Sequence, residues 1–280
     1  MQILRTVAQL RNWSRQQRSG GNTVGLVPTM GALHAGHASL IRTAAASCGA
    51  VAVSIFVNPT QFGPNEDFAR YPRTFDADCA LAEAEGADVV FAPTVEELYP
   101  AGAATFVDVE GLSGSLDGKS RPGHFRGVAT VVAKLLIAAE PDRAFFGQKD
   151  AAQVAVLRRM VADLRLGTEI VVCPIVREAD GLALSSRNLY LSPAERLQAL
   201  ILSRTVRQVE ALAAGGESHA ATLIDAARQT FAAESGIRVD YIELVDWGTL
   251  EPVETAAPGS LFAVAAWVGA TRLIDNAVLG

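Results

Sequence analysis

The sequence predicts an α/β fold: an open parallel sheet with helices on both faces, followed by a smaller α+β C-terminal domain. Three observations predict it. Short apolar runs alternate with helix-forming segments from residue 23 to 176. The first of these runs are apolar on both faces, as strands buried beneath two helical layers must be. After Arg177 the alternation stops, and two long helical segments precede three strand-like runs.

The elements follow in order. "TVGLVPT" (23–29) is a buried strand ended by proline, "HASLIRTAAASC" (37–48) a helix, and "AVAVSIFVNP" (50–59) a second strand. Strand, helix and strand in so short a span make a βαβ unit, whose crossover implies parallel pairing. "FDADCALAEAEG" (75–86) is a helix ended by Gly86, and "ADVVFAP" (87–93) a strand. "GVATVVAKLLIAAE" (127–140) is a helix stopped by Pro141, "RAFFG" (143–147) a strand, "DAAQVAVLRRMVADL" (150–164) a helix and "EIVVCPIV" (169–176) a strand. Beyond a boundary near 176, "SPAERLQALILSRTVRQVEALAAG" (192–215) carries Ser192 as N-cap, Pro193 at N1 and Gly215 past its end. A helix near 217–234 and strands over 238–246, 261–269 and 271–279 complete the chain, the last two close enough for a hairpin. The stretch "EGLSGSLDGKSRPGHFR" (110–126), rich in glycine and serine, reads as a long mobile surface loop.

Composition narrows the functional classes. The 280 residues are half hydrophobic, enough for a large core. A net charge of −6 and the lack of a Lys/Arg run argue against nucleic-acid binding. No Asp or Glu precedes Glu66, whereas Arg5, Arg11, Arg15, Arg18 and Arg42 do; a solvated basic helix accounts for this, and an N-terminal third facing an anion is the sharper reading. Cys48, Cys79 and Cys173 have neither zinc nor CxxC spacing, so free thiols in a reducing cytoplasm are expected. No secretory h-region and no membrane span is expected; residues 43–65 are uncharged but broken by Asn58, Pro59, Gly63 and Pro64.

In an open parallel sheet, ligands sit beyond the carboxyl ends of the strands. "VPTMGALHAGH" (27–37) lies there, at the start of a helix whose N-terminus favours a phosphate. Gly31 and Gly36 let backbone approach a ligand, and His34 and His37 can donate ring N–H bonds to phosphate oxygens. A metal-binding pair and ordinary polar loop residues remain open alternatives for these histidines, although no third metal ligand is evident nearby. "FFGQKDAAQ" (145–153) is a second strand-to-helix turn, where Lys149 offers a point charge to phosphate and Asp150 can accept from ribose hydroxyls. "LALSSRN" (182–188) supplies Ser185, Ser186 and the Arg187 guanidinium in a row. A helix-start lysine and a polar loop explain the last two segments equally well when each is read alone. No GxGxxG follows the first strand, which disfavours a dinucleotide-dependent dehydrogenase.

Taken together, "HAGH" and "LSSR" resemble the HIGH and KMSKS-like pair of the nucleotidyltransferase superfamily, which implies attack on the α-phosphate of ATP. With "VSIFVNPTQF", "YPRT", "FFGQKD" and "VREADGLALSSRNLYL", the chain is similar to the pantothenate synthetase, or pantoate–β-alanine ligase, family. Small departures stand at Gln148, Ala151 and Leu184, where that family often has Glu, an aromatic and Met. The resemblance implies a Rossmann-like ATP- and pantoate-binding domain over 1–176 and a smaller C-terminal lid domain over 177–280. It implies a two-step reaction: pantoate and Mg-ATP give pantoyl adenylate and pyrophosphate, and β-alanine then displaces AMP. It carries ATP contacts onto Met30, Gly31, Ala32, Leu33, His34, Ala35, Gly36 and His37. Further ATP contacts fall on Gly147, Gln148, Lys149 and Asp150, on Val176, and on Leu184, Ser185, Ser186 and Arg187. Pantoate falls to Gln61 and Gln153, β-alanine also to Gln61, and proton donation to His37. His34, Lys149 and Arg187 join His37 as the expected catalytic groups, stabilising phosphate charge. Mg²⁺ is expected on ATP phosphates and water, with Asp76 and Asp78 as candidate outer ligands that a surface helix start explains equally well. His124 and Arg126 in "SRPGHFRG" are read as part of a lid. The resemblance also implies a cytoplasmic homodimer, with small molecules and no nucleic acid or membrane as partners. Two rivals stay open: a transferase that leaves the nucleotide on its product, and a catalytically silent nucleotide-binding regulator.

Overall fold

A computed structural model describes residues 1–64 and 66–280. Six parallel strands form the larger sheet: β1 (Gln2–Leu4), β2 (Val24–Thr29), β3 (Ala50–Ile55), β4 (Val89–Phe91), β5 (Arg143–Gly147) and β6 (Glu169–Cys173), in the spatial order β1-β4-β3-β2-β5-β6. Every pairing is parallel. The order reverses between β2 and β5, a topological switch point of the kind at which such sheets bind ligands.

The helices in chain order are α1 (Val7–Ser19), α2 (Ala35–Ser47), α3 (Phe75–Ala84), α4 (Val95–Leu98), α5 (Asp117–Ser120), α6 (His124–Ala139), α7 (Ala151–Asp163), α8 (Pro193–Ala214) and α9 (Ala220–Ala232). One face of the sheet buries Val27, Val51, Val53 and Phe145 against Leu40, Ile41 and Ala44 of α2. α6 is almost wholly buried and packs beside α1, where Ser14 donates to the Ala139 carbonyl. The last three strands, β7 (Ile237–Asp246), β8 (Ser260–Val268) and β9 (Thr271–Val278), form an antiparallel sheet. Leu202, Val206, Leu223 and Phe231 of α8 and α9 share one core with Phe262, Val264 and Leu273 of that sheet.

Contacts divide the chain into two compact units, Met1–Gly147 with Val156–Pro174, and Gln148–Ala155 with Ile175–Gly280. A single boundary near 176 therefore overlooks the turn after β5, which packs with Ile175–Gly280.

Two further expectations need correction. The mobile loop read over 110–126 is folded: it holds a 3-10 turn (Leu112–Gly114), α5 and the first residues of α6. Leu116, Asp117 and Phe125 within it are buried. Its Gly118 answers to packing, because a Cβ there would lie 2.0 Å from the Ser113 carbonyl oxygen. β1 went unread, because three residues are too short to show an alternation.

Three of the five N-terminal arginines are spent locally. Arg5 donates to the Ala92 carbonyl and lies over the Phe75 ring, Arg18 donates to the Glu140 carbonyl, and Arg42 pairs with Glu85. These contacts support the bland reading of the basic N-terminal third, local surface pairing, over a surface aimed at an anion.

Candidate active site

The turn leaving β2 is held from below by one carboxylate. Gly31 and Ala32 both take left-handed backbone conformations (φ 81° and 51°), a costly choice for alanine. The turn survives because Asp78 accepts the Ala32 N–H at 2.9 Å and the Leu33 N–H at 2.8 Å, and the Thr74 hydroxyl at 3.0 Å. Asp78 is buried, on the first turn of α3. The outer-metal role expected of it gives way to a structural one, since both its oxygens are committed to backbone amides. Asp76 lies exposed two residues earlier, in the same first turn.

The two histidines then cap α2. The His34 Nδ1 accepts the Gly36 N–H at 3.1 Å, and the His37 Nδ1 accepts the His34 N–H at 3.3 Å. Imidazoles here stand where Ser and Glu stand in an ordinary capping box. Because a backbone N–H can only donate, each Nδ1 is the acceptor and each neutral ring carries its proton on Nε2. The rings lie 4.1 Å apart, tilted by 39°. Gly36 serves this arrangement: a Cβ there would come within 2.9 Å of the His34 ring. The glycine thus makes room for an imidazole, where the sequence suggested room for a ligand. No acidic residue stands in the first turn of α2 itself, where a carboxylate would offset the positive end of the helix.

Gln61 belongs to a 3-10 turn, Pro59–Gln61, pressed against α6. A Cβ on Gly127 of that helix would sit 2.4 Å from the Thr60 carbonyl oxygen, so only glycine allows the approach. Asn58, fully buried, orients the glutamine. Its Oδ1 accepts from the Tyr99 hydroxyl (2.9 Å) and the Thr60 hydroxyl (3.0 Å), and its Nδ2 donates to the Gly127 carbonyl and the Gln61 Oε1, each at 3.1 Å. The Gln61 Nε2 is left facing the Met30 sulfur at 2.9 Å. Burial pushes the Tyr99 phenol above its ordinary value, so it stays a donor. His124, read as part of a lid, begins α6 and contacts the Gln61 carbonyl through Nδ1 at 2.9 Å, while Arg121 reaches its Nε2 at 2.9 Å. Burial first, and the Arg121 charge second, lower its pKa to about 4. Arg121 also grips Glu66 through two nitrogens. Burial would raise the Glu66 carboxyl, but the Arg121 bond and charge outweigh it and hold the group below its ordinary value. Arg126 is exposed, over the Phe106 ring.

In the other unit, Gln148, Lys149 and Asp150 form a half-buried 3-10 turn following Gly147, with the Lys149 Nζ 3.5 Å from the Asp150 carboxylate. Gln153 is half-buried one turn on, in α7. Asn276 on β9 donates to the Gln148 and Lys149 carbonyls at 3.0 and 2.9 Å, and the Trp247 indole donates to the Ala151 carbonyl at 3.0 Å. Residues 176–184 fold back on themselves: the Leu184 N–H meets the Val176 carbonyl at 2.9 Å, and Arg177 bridges Ala183. Ser185 then caps the 3-10 turn Ser186–Tyr190 by accepting the Arg187 N–H. Asn188 ties this turn to Glu178 and the Ala183 carbonyl, and Arg196 pairs with Glu178 and Asp180. The expected site residues thus fall in two groups, Met30–His37, Gln61 and Gly147 in one unit, and Gln148–Asp150, Gln153, Val176 and Leu184–Arg187 in the other.

Comparison with known proteins decides the family. The model of the family described as Pantoate-beta-alanine ligase matches residues 2–278.

The chain belongs to the pantoate-beta-alanine ligase family.

Among relatives in this family, the pantothenate synthetase of Acidobacterium capsulatum is 60% identical, covering 100% of this chain and 97% of that protein. The Thermotoga neapolitana enzyme is 53% identical across 100% of both. A crystal structure of the Thermus thermophilus ligase superposes with a TM-score of 0.94 at 46% identity, covering 99% of each chain. A Francisella tularensis ligase, solved as a complex with beta-gamma ATP and beta-alanine, gives a TM-score of 0.79 at 34% identity over 99% and 97% of the chains.

Reading the ligase from its sequence missed Asn58, Tyr99, Arg121, Asn276 and the role of Asp78. Two of them carried a signal. Asn58 ends an apolar strand just before a proline, and "DN" interrupts the apolar run of β9.

Proposed function

We propose that this ligase condenses pantoate with β-alanine through a pantoyl-adenylate intermediate, using the two groups of residues described above. The observation that carries the reading is the imidazole capping box. Two Nε2–H donors stand at the N-terminus of α2, beyond the carboxyl end of β2, with their tautomers set by backbone bonds. Such preorganised donors favour the charge that develops on phosphate oxygens as the bond to pyrophosphate breaks. Lys149 adds a point charge, Ser185 and Ser186 add hydroxyls, and Arg187 adds a planar fork of donors.

The acid substrate must be held and yet remain nucleophilic. A bidentate arginine would neutralise it, whereas an amide binds it without a formal charge. Gln61 suits this task because its Nε2 faces a thioether, a weak acceptor that a carboxylate or hydroxyl oxygen readily replaces. Gln153 is assigned the same substrate. Magnesium enters with ATP, on phosphate oxygens and water. Proton donation by His37 is consistent with a proton on its Nε2. In the second step the β-alanine amine attacks the acyl carbon and AMP leaves. Closure of the C-terminal unit as a lid, a homodimeric state and a cytoplasmic location belong to the same reading. The three cysteines are free thiols, and among the described residues no helix is long and apolar enough to cross a membrane.

One assay tests the reaction. ATP, pantoate and Mg²⁺ are supplied with and without β-alanine, and pyrophosphate, AMP and amide are followed. Pyrophosphate should appear in a pantoate-dependent burst, with free AMP and amide only when β-alanine is present. Nucleotide retained on the product, or ATP binding with no pyrophosphate, would overturn the proposal. Light scattering of the purified protein tests the dimer.

A further inference from the structure

We propose that Asn276, on the last strand of the chain, is a positioning residue that aims Lys149 at the phosphates of the nucleotide. This rests on the role of Lys149 in adenylate formation given above.

The argument is one of peptide geometry. The carbonyl of Gln148 belongs to the peptide plane before the Lys149 Cα, and the carbonyl of Lys149 to the plane after it. Asn276 Nδ2 donates to both, at 3.0 and 2.9 Å. Its Oδ1 accepts the Gln148 side-chain amide at 3.2 Å. Every strong donor and acceptor of the Asn276 amide is therefore engaged by the two residues of this turn. Fixing both planes fixes the direction of the Cα–Cβ bond between them, and so the origin from which the lysine side chain extends. Asn276 is only 4% exposed and its amide bonds run to Gln148 and Lys149, so its effect on the reaction passes through this turn, and the double-mutant cycle reads the share carried by Lys149.

The neighbouring residues hold the asparagine in turn. Successive strand residues point to opposite faces. Asp275, 2% exposed, therefore faces the other way, where Arg177 donates to it through two nitrogens at 2.7 and 3.0 Å. Its Oδ1 also accepts the Asn276 N–H at 2.8 Å. One dipeptide of β9 thus ties down the turn that carries Lys149 on one face, and Arg177, next to Val176, on the other. The Trp247 bond to the Ala151 carbonyl secures the next residue but one after Lys149. The lysine, although it follows β5 in sequence, is carried by the unit that carries Ser185–Arg187. The backbone that carries Lys149 and the backbone that carries Ser185–Arg187 thus belong to one compact unit.

The test is a double-mutant cycle on the full-length enzyme between Asn276→Asp and Lys149→Ala, read as the rate of pantoate-dependent pyrophosphate release. Asn276→Asp keeps the shape and removes both donors. It should slow pyrophosphate release at least about tenfold, since misplacement by about 1 Å can cost on the order of a hundredfold. It should leave the KM for pantoate within about twofold of wild type, as expected of a change acting on a separate group. In the Lys149→Ala background the same substitution should cost little more, because groups that act as a unit are not additive. Asn276→Ser, which keeps one neutral donor, should be intermediate and serves if the aspartate does not fold. Additive losses, or an unchanged rate in either folded variant, overturn the inference. Failure of the wild-type enzyme to release pyrophosphate overturns the proposed reaction itself, and the inference with it.

Discussion

Asn58 donates its side-chain amide to the Oε1 of Gln61 at 3.1 Å, and this bond decides which end of the Gln61 amide faces outward. The direction is not arbitrary. The Asn58 Oδ1 is already taken by the hydroxyls of Tyr99 and Thr60, so Nδ2 is the atom left to meet Gln61. The glutamine consequently presents a donor beside Met30.

If that donor reads the acid substrate, Gln61→Ala raises the KM for pantoate at least about tenfold, the loss of roughly one charge-assisted hydrogen bond. The KM for ATP should stay near the wild-type value. Steady-state kinetics with each substrate varied in turn checks this, and equal effects on both would contradict the assignment.

Lys149→Ala should lower turnover by at least roughly a hundredfold, the usual cost of deleting one preorganised donor. The deficit should lie in pyrophosphate formation. Rapid-quench measurement separates the half-reactions, and a loss confined to amide formation would remove the lysine from the phosphate site.

Asp78→Ala strands two backbone N–H groups in a left-handed turn. Hydrogen bonds to a charged acceptor contribute about 1.5–3 kcal/mol each, so chemical denaturation should show a loss of at least that size. Because the turn carries the histidine cap, the KM for ATP should rise as well. The Mg²⁺ dependence should keep its midpoint; a shifted midpoint would restore the metal role.

Acid should weaken the Gln61 platform. His124 is held neutral in the folded protein with a pKa of about 4, among Arg121, Asp117 and Glu66. An unfolded histidine takes its proton near pH 6.5. Below pH 6.5 the unfolded chain binds a proton that the folded one refuses, so stability falls as pH drops toward 4 and levels off below it. The limiting slope is about 1.4 kcal/mol per pH unit. Glu66, with its folded pKa lowered, adds stability above its ordinary value that is lost on stronger acidification. Denaturation of wild type and His124→Gln between pH 7.5 and 4.5 should show the slope in the first and its loss in the second.

Much of this molecule is legible in one dimension. Val24–Thr29 and Ala50–Ile55 declare buried parallel strands because both faces are apolar, and Ser192 and Pro193 announce α8 because a helix start needs a side-chain acceptor and tolerates a missing N–H. The candidate phosphate donors are legible too, since each is a polar group at a strand-to-helix turn. Packing partners remote in the chain are not. Residues 110–126 look mobile because glycine and serine suggest freedom, yet Gly118 is there to admit a carbonyl. His34 and His37 look like ligand groups, and only the fold shows that their Nδ1 atoms close a helix cap and set the ring tautomers.

The sequence by itself determined the order of the longer strands and helices from β2 onward, the family and the chemical groups at the candidate site, because these depend on local periodicity and on residue identity. Tertiary structure alone decided how those groups are oriented. Asp78 beneath Ala32, Asn58 behind Gln61 and Asn276 behind Lys149 act from 46, 3 and 127 residues away. A hydrogen bond acts over about 3 Å whatever the separation along the chain, so folding, and not spacing, chooses its partners.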